Sequence, residues 1–386
     1  MKRDKLLMTP GPTNVPYAVR EAMGRPIIHH RTKEFEYFFS QMNDGLKKVF
    51  QTSNYVLTLA SSGTGGMEAA IINAFSPGDK VLVANTGVFG DRFVKIAKAY
   101  GLNVITMDIS WGNGVDAKEI EKILNSEKGK DIKGVLATHN ETSTGVANDI
   151  QGIGEILKNR DCIFVVDAIS SLGGLEIKTD EWGIDILIAG SQKALMLPPG
   201  LAFVSVSDKA WAAIEKSKMP KFYFDFLAYR KSLDKNTTPY TPAVALIIAA
   251  TESLNMILDE GLENTFKRHK RLANICRAGV EALGLEFFAD ARYMSDLITS
   301  IKAPEGIDIE KVRKILNIKY DIMVAGGQQH LKGKIMRIGH MGYVDEFDVL
   351  RTLSALEMAL LEVGYKVELG SALSAAQKAM NDAKQY

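Results

Sequence analysis

Short apolar runs, each closing on a polar residue or a glycine, recur through the first half of the chain. They are Tyr55 to Ala60, Val81 to Ala84, Asn103 to Met107, Gly134 to Thr138, Cys162 to Asp167, Asp185 to Ala189 and Leu201 to Ser207. Runs this short, without polar alternation, suit strands buried on both faces of a parallel sheet, and the stretches between them read as helices. Seven strands alternating with helices predict an α/β fold built on one large, mainly parallel sheet covered on both faces. Upstream, Phe35, Phe38, Phe39, Met42, Leu46, Val49 and Phe50 recur at helical spacing, a stripe for packing and not a site.

The pattern changes after Ser207. Phe222 to Tyr229 is rich in aromatics, and Asn236 to Pro242 is extended because each proline disfavours helix in the residue before it. A long helix from Ala243 to about Glu260 then leads to a smaller unit. It reads strand (Leu297 to Lys302), helix (Ile309 to Leu316), strand (Ile322 to Ala325), strand (Lys334 to Gly342) and a closing helix of about Asp345 to Val363. Gly326 to His330 is a glycine turn able to hinge. The expected division is an N-terminal arm (1–16), a large domain (17–255) and a small C-terminal α/β domain (256–386).

Composition narrows the function classes. With 386 residues, 46% apolar and 24% charged, the chain is an ordinary globular protein, and a net charge of +1 gives no footprint for nucleic acid or an anionic membrane. A small-molecule site is expected instead. Two cysteines, Cys162 and Cys276, build neither a disulfide framework nor a CxxC site, and a reducing cytoplasm is the expected location. The N-terminus lacks a signal peptide's apolar core, and no run approaches the length of a membrane span. His29 and His30 are adjacent with no third ligand nearby in sequence, so no metal site is expected.

The candidate chemistry gathers at strand ends, where open α/β sheets bind ligands. Asp167 closes one apolar run and Lys193 follows the next, 193 − 167 = 26 residues later. Taken singly, an acid there is a helix cap and a lysine there a solvated loop residue. Together they suit pyridoxal phosphate, which needs an amine to bond its aldehyde and an acid to keep its ring nitrogen protonated. Ser61-Ser62-Gly63-Thr64-Gly65-Gly66 opens a helix after a strand and reads as a phosphate cradle or as simple capping. It is not GxGxxG, and no ribose-binding acid ends the next strand, which disfavours a nucleotide-binding module. Phe89, among glycines after Val81 to Ala84, is either a shelf for a flat ring or a core residue. Arg337, in an apolar strand, wants a carboxylate, either a substrate's or an internal partner's. Thr9-Pro10-Gly11-Pro12-Thr13 is a rigid loop.

Two blocks, Val-Asp167-x-x-x-Ser171-Leu-Gly-Gly and Ser191-Gln192-Lys193-Ala-Leu-x-x-Pro-Pro-Gly200, resemble the signatures of the small-substrate class V aminotransferases of fold type I. These are the alanine-glyoxylate, serine-pyruvate and serine-glyoxylate enzymes, and the resemblance runs from Thr9 to about Leu361. It implies a pyridoxal-phosphate enzyme with Lys193 and Asp167 as its catalytic pair and Gln192 beside them. It also implies cofactor phosphate on Ser62, Gly63 and Thr64, Phe89 stacked on the ring and Thr142 at the ring's edge. Ser143 and Gly11 would border the substrate and Arg337 bind its carboxylate. Tyr240 and Thr241 would reach the phosphate of a second subunit, making a homodimer with its active site at the interface. The implied reaction moves an amino group between alanine or serine and glyoxylate or pyruvate by a ping-pong scheme. Val324-Ala-Gly-Gly-Gln and the Arg337-Ile-Gly-His-Met-Gly strand also resemble broad-specificity aspartate and phosphoserine aminotransferases. Those substrates want a second cation, for which Arg31, Arg230 and Lys332 are candidates. A cysteine desulfurase would need Cys162 or Cys276 on a mobile loop, and a non-catalytic protein binding the same cofactor is a further alternative.

Overall fold

The structure is a computed structural model that describes residues 4–382, so residues 1–3 of the expected arm and 383–386 of the expected small domain lie outside the described residues. Its strands in chain order are β1 (Leu6–Met8), β2 (Tyr55–Leu59), β3 (Lys80–Asn85), β4 (Asn103–Asp108), β5 (Ile132–Thr138), β6 (Asn140–Glu141) and β7 (Val146–Ala147). They continue as β8 (Ile163–Asp167), β9 (Ile186–Gly190), β10 (Ala202–Val206), β11 (Ile298–Lys302), β12 (Ile322–Gly326) and β13 (Ile335–Gly339). The seven apolar runs form one sheet in the order β2-β10-β9-β8-β5-β3-β4, as the pattern predicts.

Alternate residues of these strands go to opposite faces. Phe164, Val166, Leu187 and Ala189 join one core, while Ile163, Val165, Ile186 and Ile188 join the other. Each such Val, Ile, Leu or Phe stabilises the fold by about 1.5–3 kcal/mol, and burial on both faces is why the runs carry no polar alternation. Every pairing is parallel except those of β10, which runs antiparallel to both β2 and β9. Only the non-helical Ser191–Leu201 connection separates β9 from β10. A parallel return needs a crossover of a dozen or more residues, so the chain turns straight back. Lys193 rides on this reversal.

Asp185, read as the start of this strand, falls just before β9, and its carboxylate ties the neighbouring strands together. It accepts from the amide of Phe164 at 2.9 Å, the hydroxyl of Ser207 at 2.8 Å and the ammonium of Lys209 at 3.1 Å.

The helix Val244–Glu260 packs on Lys33–Phe50 and gives Leu254 and Ile257 to the large core. After Gly261, at φ 82°, the helix Leu262–Ala282 gives Leu272, Ile275 and Val280 to a third core beneath a second sheet, β1-β12-β13-β11. That helix and the last one, Ser371–Asp382, join the strands and helices read from sequence. The N-terminal arm is more than a loop. Its β1 pairs in parallel with β12, Leu6 opposite Ile322 and Met8 opposite Val324, which ties the chain's start to the C-terminal sheet.

Candidate active site

Asp167 ends β8, the neighbour of β9 in the sheet. Its carboxylate is buried and accepts the amide of Ile169 at 2.8 Å. Burial pushes it up to about 7 and nearby Glu141 adds to this, while the Ile169 amide, Arg92 and Lys193 oppose it. A cationic ring nitrogen beside it would favour the ionised form.

Lys193 sits in a braced loop. Ser191 donates to the carbonyl of Pro198 at 2.8 Å and accepts from the amide of Leu201, and Met196 closes the turn at φ 54°. From the N-terminal arm, Thr13 donates its amide to Gln192 O at 3.2 Å and its hydroxyl to Lys193 O at 2.8 Å. The lysine's Nζ donates to Pro10 O at 2.6 Å. Gly11 presses on the same side chain: at φ 126° it occupies a conformation that favours glycine, and a Cβ there would stand 2.5 Å from Lys193 Nζ. Burial brings the amine down to about 8, against the pull of Asp167. Gln192 is half-buried beside the hydroxyl of Ser191.

The helix Gly63–Ala74 begins at Ser62 without a side-chain cap. The amides of Gly65 and Gly66 fold back onto Ser62 O, and those of Gly63 and Thr64 make no hydrogen bond among the described residues. Free amides at the positive end of a helix dipole suit a phosphate. A Cβ on Gly63 would lie 2.6 Å from the side chain of Ile169, two residues past Asp167, so the cradle and the acid adjoin. Arg92 donates to Thr64 Oγ1 at 2.9 Å and lies 4.7 Å above the half-buried ring of Phe89. An amine, an acid for a ring nitrogen, an anion cradle and an aromatic shelf therefore meet at one sheet edge, which fits pyridoxal phosphate. Tyr240 and Thr241 line a narrow crevice with Thr58, Ala60 and Leu201 just beyond that edge. Tyr240 stacks on Tyr223 with ring centroids 5.1 Å apart, and Thr241 is exposed.

Arg337 on β13 reaches the same place from the other sheet. Its Nε and Nη2 donate to Gly326 O at 2.9 and 2.7 Å, and its Nη1 to Thr142 O at 2.6 Å. Burial lowers it to about 10, Glu141 acts to raise it, and Arg313 to lower it. Among the described residues no carboxylate comes within 4.0 Å of it. A guanidinium has five N–H donors and three are engaged, so two remain. Thr142 and Ser143 form the turn between β6 and β7. The Ser143 hydroxyl faces Glu141 and accepts from the amide of Val88 at 3.0 Å.

Of the candidate second cations, Arg31 donates to Thr237 and to Thr238 O, and Arg230 lies over the rings of Tyr55 and Trp211. Lys332 shares a cavity with Arg337, Arg313 and Thr9. Both cysteines are buried, and burial raises both thiols, Cys276 to about 11. No described helix is long and apolar enough to cross a membrane, and no three described His, Cys, Asp or Glu side chains cluster as metal ligands. Sequence alone assigned no role to Arg92 or Glu141 and showed Pro10 and Thr13 only as parts of a rigid loop.

Residues 12–351 match the aminotransferase class-V family. An uncharacterized aminotransferase of Methanocaldococcus jannaschii is 50% identical over 94% of this chain and 94% of its own. A Synechococcus protein named the small subunit of a soluble hydrogenase is 44% identical over 99% of this chain and 100% of its own. The L-aspartate–glyoxylate aminotransferase of Paracoccus denitrificans is 41% identical over 96% and 95%. The crystal structure of ureidoglycine–glyoxylate aminotransferase from Bacillus subtilis superposes with a TM-score of 0.95 at 33% identity, covering 99% of both chains. Since the match spans both sheets and the site between them, the chain belongs to the class-V aminotransferases, transaminases that work with pyridoxal phosphate.

Proposed function

We propose that the chain transfers the amino group of a small L-amino acid, alanine or serine, to glyoxylate or pyruvate in a two-stage, ping-pong exchange. The observation that carries this reading is Arg337. It is a buried guanidinium held by two carbonyls, with no carboxylate partner among the described residues and two donors to spare. A substrate carboxylate takes up such a fork.

The cofactor, when bound, supplies an aldehyde that captures the amino group and a ring that accepts electrons from the substrate's α-carbon. The chain's own residues do the rest. Arg337 fixes the substrate by its carboxylate. Lys193, a base brought down to about 8, removes the α-proton and returns it as an acid on the way to product. Asp167 holds the proton on the ring nitrogen. Ser62, Gly63 and Thr64 bind the phosphate, Phe89 backs the ring, and Gln192 and Thr142 border it. Gly11, under the Pro10 carbonyl that now accepts from Lys193, walls the substrate side; Ser143 borders the substrate from the β6–β7 turn.

A homodimer completes the site in this reading, with Tyr240 and Thr241 reaching the partner's phosphate. The exposed Thr241 and the exposed apolar side chains of Ile27 and Phe222 support it. A cytoplasmic location suits two free, buried thiols.

One observation favours a second reading. Lys332 lies in the same cavity as Arg337 and could receive the distal anion of aspartate or phosphoserine. A panel of alanine, serine, aspartate and phosphoserine against glyoxylate, pyruvate and 2-oxoglutarate decides between them. Alanine or serine with glyoxylate is expected to lead in kcat/KM, and a lead for the dianionic donors reverses the assignment.

A further inference from the structure

Glu141 is fully buried, yet it meets the site on two sides. Its Oε2 accepts the amides of Phe89 and Gly90 at 3.0 and 3.1 Å. Its Oε1 accepts the amide of Ser143 at 3.2 Å and the Ser143 hydroxyl. Three of these four contacts come from backbone amides, which can only donate and so favour a carboxylate over a carboxylic acid. Burial raises this carboxyl, and the donors from Phe89, Gly90 and Ser143 act against that rise. On one side the carboxylate pins the start of the helix Val88–Ala99, which carries Phe89 and Arg92. On the other it pins the β6–β7 turn, whose Thr142 carbonyl holds Arg337 Nη1. Thr142 and Ser143 are consecutive, so a shift of one moves the other. Glu141 also supplies negative charge toward Arg337 without occupying the guanidinium's free donors.

We propose that Glu141 is a positioning residue that sets two groups at once: the Phe89 shelf for the cofactor ring and the Arg337 fork for the substrate carboxylate. It touches neither ligand itself. This rests on the reading that Arg337 receives that carboxylate and Phe89 backs the ring.

The experiment is a pair of double-mutant cycles on the full-length protein. Cofactor affinity is read by titrating the visible absorbance of bound pyridoxal phosphate, and substrate binding by the KM for the preferred amino donor. Glu141→Gln keeps the shape but turns an N–H donor toward amides, and is expected to weaken cofactor binding and raise KM by about tenfold each, the scale of a charge-assisted hydrogen bond. In a Phe89→Ala background its effect on cofactor affinity is expected to shrink to less than about twofold, and in an Arg337→Lys background its effect on KM to do the same, because coupled residues are not additive. Full effects in both backgrounds, or a lower melting temperature with both constants unchanged, overturn the proposal. Arg337→Lys alone with an unaltered KM instead overturns the underlying reading of Arg337, so the two failures are distinct. Should Glu141→Gln not fold, Gly87→Ala disturbs the same carboxylate from outside, since its Cβ would stand 2.5 Å from Glu141 Cδ and from Ser143 Oγ. The same measurements then apply, and failure of both variants to fold also counts against a positioning role.

Discussion

Lys193 donates from its Nζ to the carbonyl of Pro10 at 2.6 Å, so the N-terminal arm lies on the amine that the chemistry needs. Gly11 is the reason it can lie so close. A methyl group there would overlap Lys193 and would strain a backbone at φ 126°. Gly11→Ala is expected to lower kcat/KM at least about tenfold by pushing the arm off the lysine, with the melting temperature changed by only a few degrees. Steady-state kinetics beside thermal unfolding tests this, and an unchanged kcat/KM would show that the arm is irrelevant to turnover.

Lys193→Ala removes the amine that the fold places beside Asp167. Turnover is expected to fall by a factor on the order of ten thousand, the range a positioned acid–base group contributes. Borohydride reduction of the parent loaded with cofactor should label the peptide containing position 193, and the variant should yield no such peptide. Labelling elsewhere, or normal turnover by the variant, sinks the assignment.

Asp167 has a pH signature in the cofactor-free protein. Burial raises its carboxyl from 3.8 to about 7, so between those values the folded state holds a proton that the unfolded chain has released. Stability from this group is present at low pH and is lost as pH rises toward about 7. Asp167→Asn cannot ionise and keeps an oxygen for the Ile169 amide. Relative to the parent, the variant should therefore gain in melting temperature as pH rises to about 7 and stay level above it. Saturating cofactor should erase that advantage in the parent, because the ring nitrogen pairs with the carboxylate. Parallel pH curves for the two proteins would contradict the burial argument.

Arg337→Lys keeps the charge and loses the fork. The ammonium cannot hold Gly326 O and Thr142 O and still present two parallel donors to a carboxylate. The KM for amino donor and oxo acid should rise together by about a hundredfold, with a smaller change in kcat. A rise confined to one of the two substrates argues that the other is held elsewhere.

Neither thiol suits a desulfurase, whose nucleophile must travel to the substrate. Cys162 is 4% exposed and Cys276 0%, and burial keeps both protonated. A thiol reagent should find no reactive cysteine in the native protein and two after denaturation. Fast modification of the folded protein, with loss of activity, would reopen that reading.

The sequence by itself determined the seven buried strands, their alternation with helices, and the Asp167–Lys193 pair at neighbouring strand ends. These follow from local facts: a run buried on both faces must be apolar along its length, and chemistry on an open sheet gathers where strands end. Tertiary structure alone decided what spans long stretches of chain. A three-residue strand such as Leu6–Met8 has no periodicity to read, and it exists only because Ile322–Gly326 offers it an edge. The direction of Ala202–Val206 follows from a connection too short to cross over. Glu141 drew no role from sequence, because a carboxylate's role depends on which donors the folded chain turns toward it. Here those donors come from Phe89 and Gly90, some fifty residues earlier in the chain.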